Sequence, residues 1–240
     1  FIINHSDNLS LPFAIVFHIA AFITIIYGSH KDDWKENIAV ISYAGAAIAA
    51  LHAGDLFTLF FWWEATAFTS VFLILGGNTT RAYRAAFRYI VIQVGSGMFL
   101  LAGAVLFLYS NGNALLGQMS IDDTSGLLIF LAFGIKAAFP FLNGWLQDTY
   151  PEASEVGTVA LSSFTTKLAI YALARSFAGT DILIYIGALM TFFPIFFAVI
   201  ENDLRRVLAY SLNNQLGFMV VAVGIGTELA INGAVAHAFA

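Results

Sequence analysis

The octapeptide that decides the fold of this chain runs Phe133-Gly134-Ile135-Lys136-Ala137-Ala138-Phe139-Pro140. It places a lysine and a proline inside an apolar segment, 125–146. Proline lacks a backbone N–H, so the carbonyl four residues earlier, that of Lys136 itself, loses its helical hydrogen-bond partner. Irregular backbone within a membrane is tolerated only where it is buried in protein or lines a water-filled cavity. The run therefore predicts a broken membrane helix with Lys136 at the break; a proline kink with a snorkelling lysine is the alternative.

The composition around this run is that of a membrane protein. Of 240 residues, 60% are hydrophobic and 10% are charged, whereas a soluble domain has about 25% charged residues. The mean hydropathy is +0.83. The chain has no cysteine, which excludes disulfides, thiolate chemistry and cysteine-ligated metals.

Eight apolar segments approach the roughly 20 residues that a helix needs to cross the hydrocarbon core, and a ninth begins near Glu228. The eight segments are 11–28, 38–53, 55–76, 84–109, 125–146, 156–175, 182–200 and 206–226. They predict an all-α fold, a polytopic transmembrane helical bundle with a discontinuous helix. Because the chain begins with Phe1 and stops within the ninth segment, we expect it to be a piece of a longer polypeptide.

The basic residues predict the orientation of this bundle, since cytoplasmic loops carry an excess of lysine and arginine. The loops that follow odd-numbered segments contain Lys31, Lys35, Arg81, Arg84, Arg88, Arg205 and Arg206. Only Arg175 falls on the other side. We therefore expect a multi-pass protein of the cell (inner) membrane with its basic loops in the cytoplasm. The loop 147–155 is the exception, because all of its charged residues are acidic.

Two further charges, Glu64 and Lys167, lie deep in apolar segments. An ionisable residue at that depth is expensive and by default indicates a proton or ion path. Glu64 needs a cation or a proton, and Lys136 is the candidate partner; a neutral carboxyl that donates a core hydrogen bond is the alternative. Lys167 follows the hydroxyl-rich run 162–166, which favours a water chain, and a structural lysine bonded to a neighbouring helix is its alternative.

His237 lies in the ninth segment and is the last candidate for the path, because imidazole transfers protons near neutral pH. A helix-packing histidine is an equal alternative. The sequence contains no phosphate-binding loop, zinc signature or nucleophile elbow. We therefore predict no catalytic site, cofactor, metal or nucleic-acid partner, although membership of a redox-driven proton-pumping complex stays open.

Four stretches resemble one family, the antiporter-like proton-translocating membrane subunits shared by respiratory complex I and the multisubunit monovalent cation/proton antiporters. They are Asp55 through Glu64, Phe133 through Phe141 with Trp145-Leu146, Thr165 through Arg175, and Asp203 through Gly217. The resemblance covers about 38–240. The chain departs from the family at Trp145-Leu146-Gln147-Asp148, where the family usually has proline in third place, and near Glu155, where a second family proline is replaced.

The resemblance implies a 14-helix fold with two inverted five-helix repeats. It implies an N-terminal segment with one transmembrane helix at 1–37, a first repeat at 38–175 and an incomplete second repeat at 176–240. In this interpretation Glu64 and Lys136 form a coupled input pair, and Lys167 with His237 forms the onward relay. The second broken helix, with the exit-side charge, would lie beyond Ala240.

The function that the resemblance favours is that of the D-type membrane subunit of multisubunit Na+/H+ antiporters. The partners would be other membrane subunits, the lipid bilayer, protons and, as a candidate, Na+. An antiporter-like subunit of an NADH:quinone oxidoreductase or of a membrane-bound hydrogenase is the alternative. A quinone-binding oxidoreductase subunit is less favoured, because the sequence offers no cofactor ligand. A structural membrane scaffold is also less favoured, because three charges within the membrane cost free energy and a scaffold has no use for them.

Overall fold

The computed structural model describes residues 2, 4–31 and 33–239, and this part of the chain is helical without a β-strand. The helices are α1 (Ser10–Gly28), α2 (Trp34–Leu51), α3 (Leu56–Leu75), α4 (Thr80–Asn111), α5 (Thr124–Lys136), α6 (Gly144–Thr149), α7 (Glu155–Ser176), α8 (Ile182–Ile200), α9 (Leu204–Ile225) and α10 (Glu228–Phe239). A short 3₁₀ turn, Tyr150–Glu152, follows α6. The all-α bundle with a discontinuous helix is confirmed.

Short polar residues fix where five of these helices begin. A side-chain oxygen of the residue before the helix accepts a hydrogen bond from a backbone N–H of the first turn, which satisfies a group that has no partner within the helix. The residues that do so are Asp33, Asp55, Thr79, Ser154 and Asp203. Gly112 and Gly226 end α4 and α9 in the left-handed conformation, which glycine adopts without a steric penalty.

Helix α7 is the centre of the bundle, and α8 lies at its rim. In the most apolar 18-residue part of each helix, 72% of the residues of α7 are buried, against 22% for α8. The exposed residues of α8 are large and apolar, among them Phe192, Phe196 and Val199. A surface of this kind suits lipid rather than water, because lipid tails are as apolar as the side chains that meet them.

Six helices in the described part of the chain are long and apolar enough to cross a membrane: α1, α3, α4, α7, α8 and α9. The segments 38–53 and 125–146 are not among these six, although the sequence predicts that both approach the length of a span and that the second is a helix broken at Lys136. The first corresponds to α2, which opens on the polar run Lys35-Glu36-Asn37. The second is divided between α5, of 13 residues, and α6, of 6 residues.

The division follows from the backbone between Lys136 and Gly144. The chain leaves the helix through Ala138 (φ 61°) and Phe141 (φ 68°), on either side of Pro140. Left-handed backbone at residues with a side chain is uncommon and needs support from its surroundings. Trp145 supplies part of that support, since its indole Nε1 donates to the carbonyl of Ile135 at 2.9 Å and ties α6 back to α5.

The acidic loop 147–155 lies among basic residues from elsewhere in the chain. Asp148 pairs with Arg88 at 3.0 Å. Glu155 lies 3.6 Å from Lys31 and 3.9 Å from Arg205. The loop that lacked basic residues in the sequence is therefore at the same end of the bundle as the basic loops, and its charge is balanced there by neighbours.

Candidate functional site

Lys136 is the last residue of α5 and is fully buried. Its Nζ donates to the carbonyl of Trp63 at 2.8 Å and to the hydroxyl of Thr66 at 2.9 Å. It also lies 4.2 Å from the centre of the Trp63 ring, whose face attracts a cation. The C-terminal end of a helix carries partial negative charge, which favours a cation in its last turn. The amine is enclosed by protein, so this lysine does not snorkel.

Glu64 lies on the same turn of α3 as Trp63 and Thr66, but its side chain points towards α4. Its side chain is half-buried, and Oε1 is buried without a hydrogen-bond partner among the described residues. A Cβ atom built on Gly97 would lie 1.7 Å from that oxygen. The absence of a side chain at Gly97 therefore creates the space that the carboxyl group fills.

Glu64 and Lys136 do not form an ion pair, although both belong to the described residues. They are linked through one turn of α3, because Lys136 bonds to Trp63 and Thr66 on either side of Glu64 in the chain. The structure thus brings the expected pair to one place in the bundle and directs the two side chains to different neighbours.

Helices α3, α4 and α5 are held in register around this turn by buried hydrogen bonds. The indole Nε1 of Trp63 donates to the hydroxyl of Ser96 at 3.1 Å. Ser96 in turn donates to the carbonyl of Ala132 at 2.8 Å. A second pair, Ser70 and Tyr89, joins α3 to α4 at 2.8 Å between the two hydroxyl oxygens. The positions of Glu64 and Lys136 are therefore set by a buried polar framework.

Lys167 and His237 line a second location, a cavity of about 450 Å³ between α1, α7, α9 and α10. The Nζ of Lys167 donates to the carbonyl of Ser162 in its own helix at 2.6 Å. Ser163 and Gln215 add polar groups to the same wall. A cavity of this size with several polar partners is large enough to hold ordered water.

Directly before Lys167 in the chain, α7 carries the hydroxyls of Thr165 and Thr166. Thr165 bonds to the buried hydroxyl of Tyr43, and its backbone N–H donates to the same oxygen at 2.9 Å. Thr166 is fully buried, and its hydroxyl has no partner among the residues that the structure describes. No hydrogen bond in that part of the chain joins Lys136 to Lys167, so the four predicted residues form two separate pairs.

The sequence did not point to Thr66, Gly97 or Gln93. Thr66 is an acceptor for Lys136 and Gly97 faces Glu64. Gln93 is fully buried on α4, with neither amide atom bonded to a described residue. A signal existed for Gln93, because it is a large polar residue in an apolar segment, but its amide does not ionise and so stands out less than a charge. Across residues 2, 4–31 and 33–239, no three acidic or histidine side chains gather to hold a metal ion.

The comparisons with known proteins agree with this arrangement of helices. The chain is 31% identical over 207 residues to the D-type subunit of the Na+/H+ antiporter of Alkalihalophilus pseudofirmus, covering 78% of this chain and 42% of that protein. It is 26% identical over 264 residues to the M-type subunit of the NADH-quinone oxidoreductase of Escherichia coli K12, covering 95% of this chain and 51% of that protein. The chain thus spans about half the length, or less, of these curated relatives.

Solved structures share the fold at lower identity. A chain of the Mrp complex from a Dietzia species superposes with a TM-score of 0.83 at 23% identity, covering 96% of this chain and 47% of that chain. A chain of the membrane-bound sulfane sulfur reductase, an archaeal respiratory membrane complex, gives 0.87 at 23% identity, covering 96% and 52%. The sequence pattern of one membrane family matches residues 53–240, which is most of the chain. The chain therefore belongs to the NADH:quinone oxidoreductase/Mrp antiporter transmembrane family.

Proposed function

We propose that this chain is part of a proton-translocating membrane subunit, of the D type found in Na+/H+ antiporters. One observation carries the proposal: a fully buried lysine at a helix break bonds to the turn that bears a half-buried glutamate. Charges at this depth are retained where they serve a proton or ion path. The similarity to the antiporter of Alkalihalophilus pseudofirmus supports the choice of antiporter.

In the proposed mechanism Glu64 and Lys136 are the input pair. A carboxylate at Glu64 favours the ammonium form of Lys136, because opposite charges within a few ångströms stabilise each other. When Glu64 takes up a proton, its carboxyl group no longer stabilises the ammonium form of Lys136. The ammonium then has only the neutral acceptors of Trp63 and Thr66. Lys136 then releases its proton towards α7.

The onward relay would run through Lys167 and His237. The hydroxyls of Thr165 and Thr166 lie beside Lys167 in the chain, and hydroxyls both donate and accept hydrogen bonds. The cavity that Lys167 shares with His237 is large enough for the water that a proton needs between two such groups. In this proposal Pro140 keeps the helix broken at Lys136, so that the lysine faces polar groups rather than a closed helix.

A second candidate function is that of an antiporter-like subunit in an NADH:quinone oxidoreductase. The match to the M-type subunit of Escherichia coli, over 95% of this chain, favours it. The same four residues would serve in both cases, because the two functions differ in what drives the protons. Dependence of transport on Na+ or on electron transfer separates them.

We propose that the chain lies in the cell membrane with its basic end in the cytoplasm, and that the translocating domain is built from two repeats. The basic residues around Glu155 support this orientation, since cytoplasmic loops are enriched in lysine and arginine. In this proposal 38–175 forms one repeat and 176–240 begins a second one. Like its structural neighbours, the subunit assembles with other membrane subunits.

The test uses the full-length subunit in its native complex, reconstituted in liposomes with a dye that reports internal pH. Glu64→Gln and Lys136→Met should each reduce proton transport to background while the complex still assembles. Lys31→Met is the matched control, because Lys31 lies at the basic end of the bundle and should leave transport unchanged. Full transport by both membrane variants would refute the proposal.

A further inference from the structure

We propose that Gln93 binds an ordered water between Glu64 and Lys136, and is thereby a positioning residue of the input pair. The inference rests on the proposed proton-transfer function. It adds a water site and a residue that neither titrates nor carries charge.

The first observation is the burial of Gln93 on α4. Its side chain is fully buried, and both amide atoms, Oε1 and Nε2, lack a partner among the described residues. Buried polar groups are bonded to protein or to ordered water in nearly all structures. An amide has two donors and an acceptor, and this one uses none of them on a described protein group. Water is the partner that fits.

The second observation is the register of α3 and α4, which are antiparallel. Trp63 bonds to Ser96, and Ser70 bonds to Tyr89. These contacts are seven residues apart on each helix, so the two helices run level over two turns. Gln93 lies three residues before Ser96 and is therefore level with the residue three after Trp63, which is Thr66.

Thr66 is the residue whose hydroxyl accepts a hydrogen bond from Lys136. On the other side, Gly97 lies four residues after Gln93 and so on the same face of α4. Gly97 is the residue against which Glu64 packs. Four residues correspond to about 6 Å along a helix. Gln93 is therefore level with the Lys136 contact and one turn from the Glu64 carboxyl, a spacing that one or two waters span.

The chemistry suits a side chain that holds water in a fixed orientation. The Gln93 Nε2 donates to the water oxygen while the lysine, having released its proton, is a neutral amine. The protonated Glu64 carboxyl then gives its proton to the water as another proton of that water passes to the Lys136 Nζ. One O–H bond forms and one breaks on the water, the glutamate becomes a carboxylate, and the lysine becomes an ammonium. Gln93 gains and loses no proton.

The test is Gln93→Met in the full-length subunit within its complex. Methionine fills a similar volume without an amide, so we expect assembly to be retained and proton transport to fall by roughly tenfold to a hundredfold, as for a misplaced reacting group. Transport should also show a larger solvent deuterium isotope effect, which loss of packing alone would not produce. Gln93→Asn, which keeps the amide, should recover part of the rate.

Leu100→Met is the matched control, since Leu100 is fully buried on α4 and its replacement changes packing without removing a polar group. Wild-type rates in an assembled Gln93→Met complex would overturn the inference. If Glu64→Gln abolishes transport in the same assay while Gln93→Met does not, the proposed function survives and the inference alone fails. A high-resolution map of the wild-type complex gives a test that needs no variant: water within hydrogen-bond distance of the Gln93 amide is expected, and a protein partner there would refute the site.

Discussion

The carboxyl group of Glu64 occupies the space that a side chain at Gly97 would fill. A Cβ atom on Gly97 would lie 1.7 Å from Oε1 and 2.5 Å from the carboxyl carbon. No pair of atoms approaches so closely without bonding, so a larger residue at position 97 must move Glu64, α4 or both. The location of the glutamate is therefore decided by the smallest residue on the opposing helix.

Gly97→Ala should disable transport by displacing the Glu64 carboxyl from its position beside α4. Alanine favours a helix over glycine by about 1 kcal/mol, so a loss of activity would come from the displacement and not from a weaker α4. The measurement is proton transport by the reconstituted full-length complex, alongside its thermal stability.

Gly95→Ala is the control for that variant. A Cβ atom at Gly95 meets nothing within 4 Å, so the substitution should leave transport unchanged and raise helix stability slightly. Equal transport by Gly97→Ala and Gly95→Ala would show that the position of Glu64 does not matter.

Thr66→Val should weaken the site around Lys136. Valine keeps the shape of threonine and removes the hydroxyl that accepts from Lys136 at 2.9 Å. Hydrogen bonds to charged groups contribute about 1.5–3 kcal/mol, so we expect a lower unfolding temperature and slower proton transport. Thr69→Val is the control, because the Thr69 hydroxyl bonds to backbone carbonyls of its own helix. The interpretation fails if both valine variants behave alike.

The sequence predicted the helices, the break in one of them and the charged candidate residues, because each of these depends on local chemistry. Proline and lysine within one apolar run predict the end of α5 near Lys136. The direction of Glu64 was not predictable, since it depends on how α3 is rotated against α4. The location of Lys167 and His237 in one cavity depends on the packing of helices far apart in the chain, which residue spacing does not predict; only the family resemblance placed the two residues in one relay.

At the end of the bundle opposite the basic loops, Arg175 donates from Nη2 to both carboxylate oxygens of Asp7, at 2.8 Å each. Partial burial acts to raise the pKa of Asp7. The hydrogen bond and charge of Arg175, with further hydrogen bonds from Ser10, outweigh that effect and hold the pKa well below its usual range. A depressed folded-state pKa stabilises the protein above the unfolded-state value, about 3.9, and that stabilisation is lost as pH falls through the folded-state pKa.

Asp7→Asn should therefore lower the thermal unfolding temperature at pH 7, and the difference from wild type should shrink as the pH falls below about 4. Thermal unfolding of the purified complex across this range is the measurement. His5 lies 3.6 Å from Asp7, so a His5→Gln background removes this second contact and leaves the contact between Asp7 and Arg175. A difference that is the same at every pH would show that the pair does not control stability through Asp7 ionisation.

Ser163→Phe should obstruct the proposed relay between Lys167 and His237 without removing either residue. Ser163 lines the cavity of about 450 Å³ that the two share, and a phenyl ring there would displace water and separate the imidazole from the amine. We expect assembly to persist and proton transport to fall steeply. Val199→Phe adds an aromatic ring at a position that is 81% exposed on the rim helix α8, so it should transport normally. If Ser163→Phe also transports normally, protons do not pass through this cavity, and the proposed roles of Lys167 and His237 are refuted. The input pair of Glu64 and Lys136 is tested separately by its own variants.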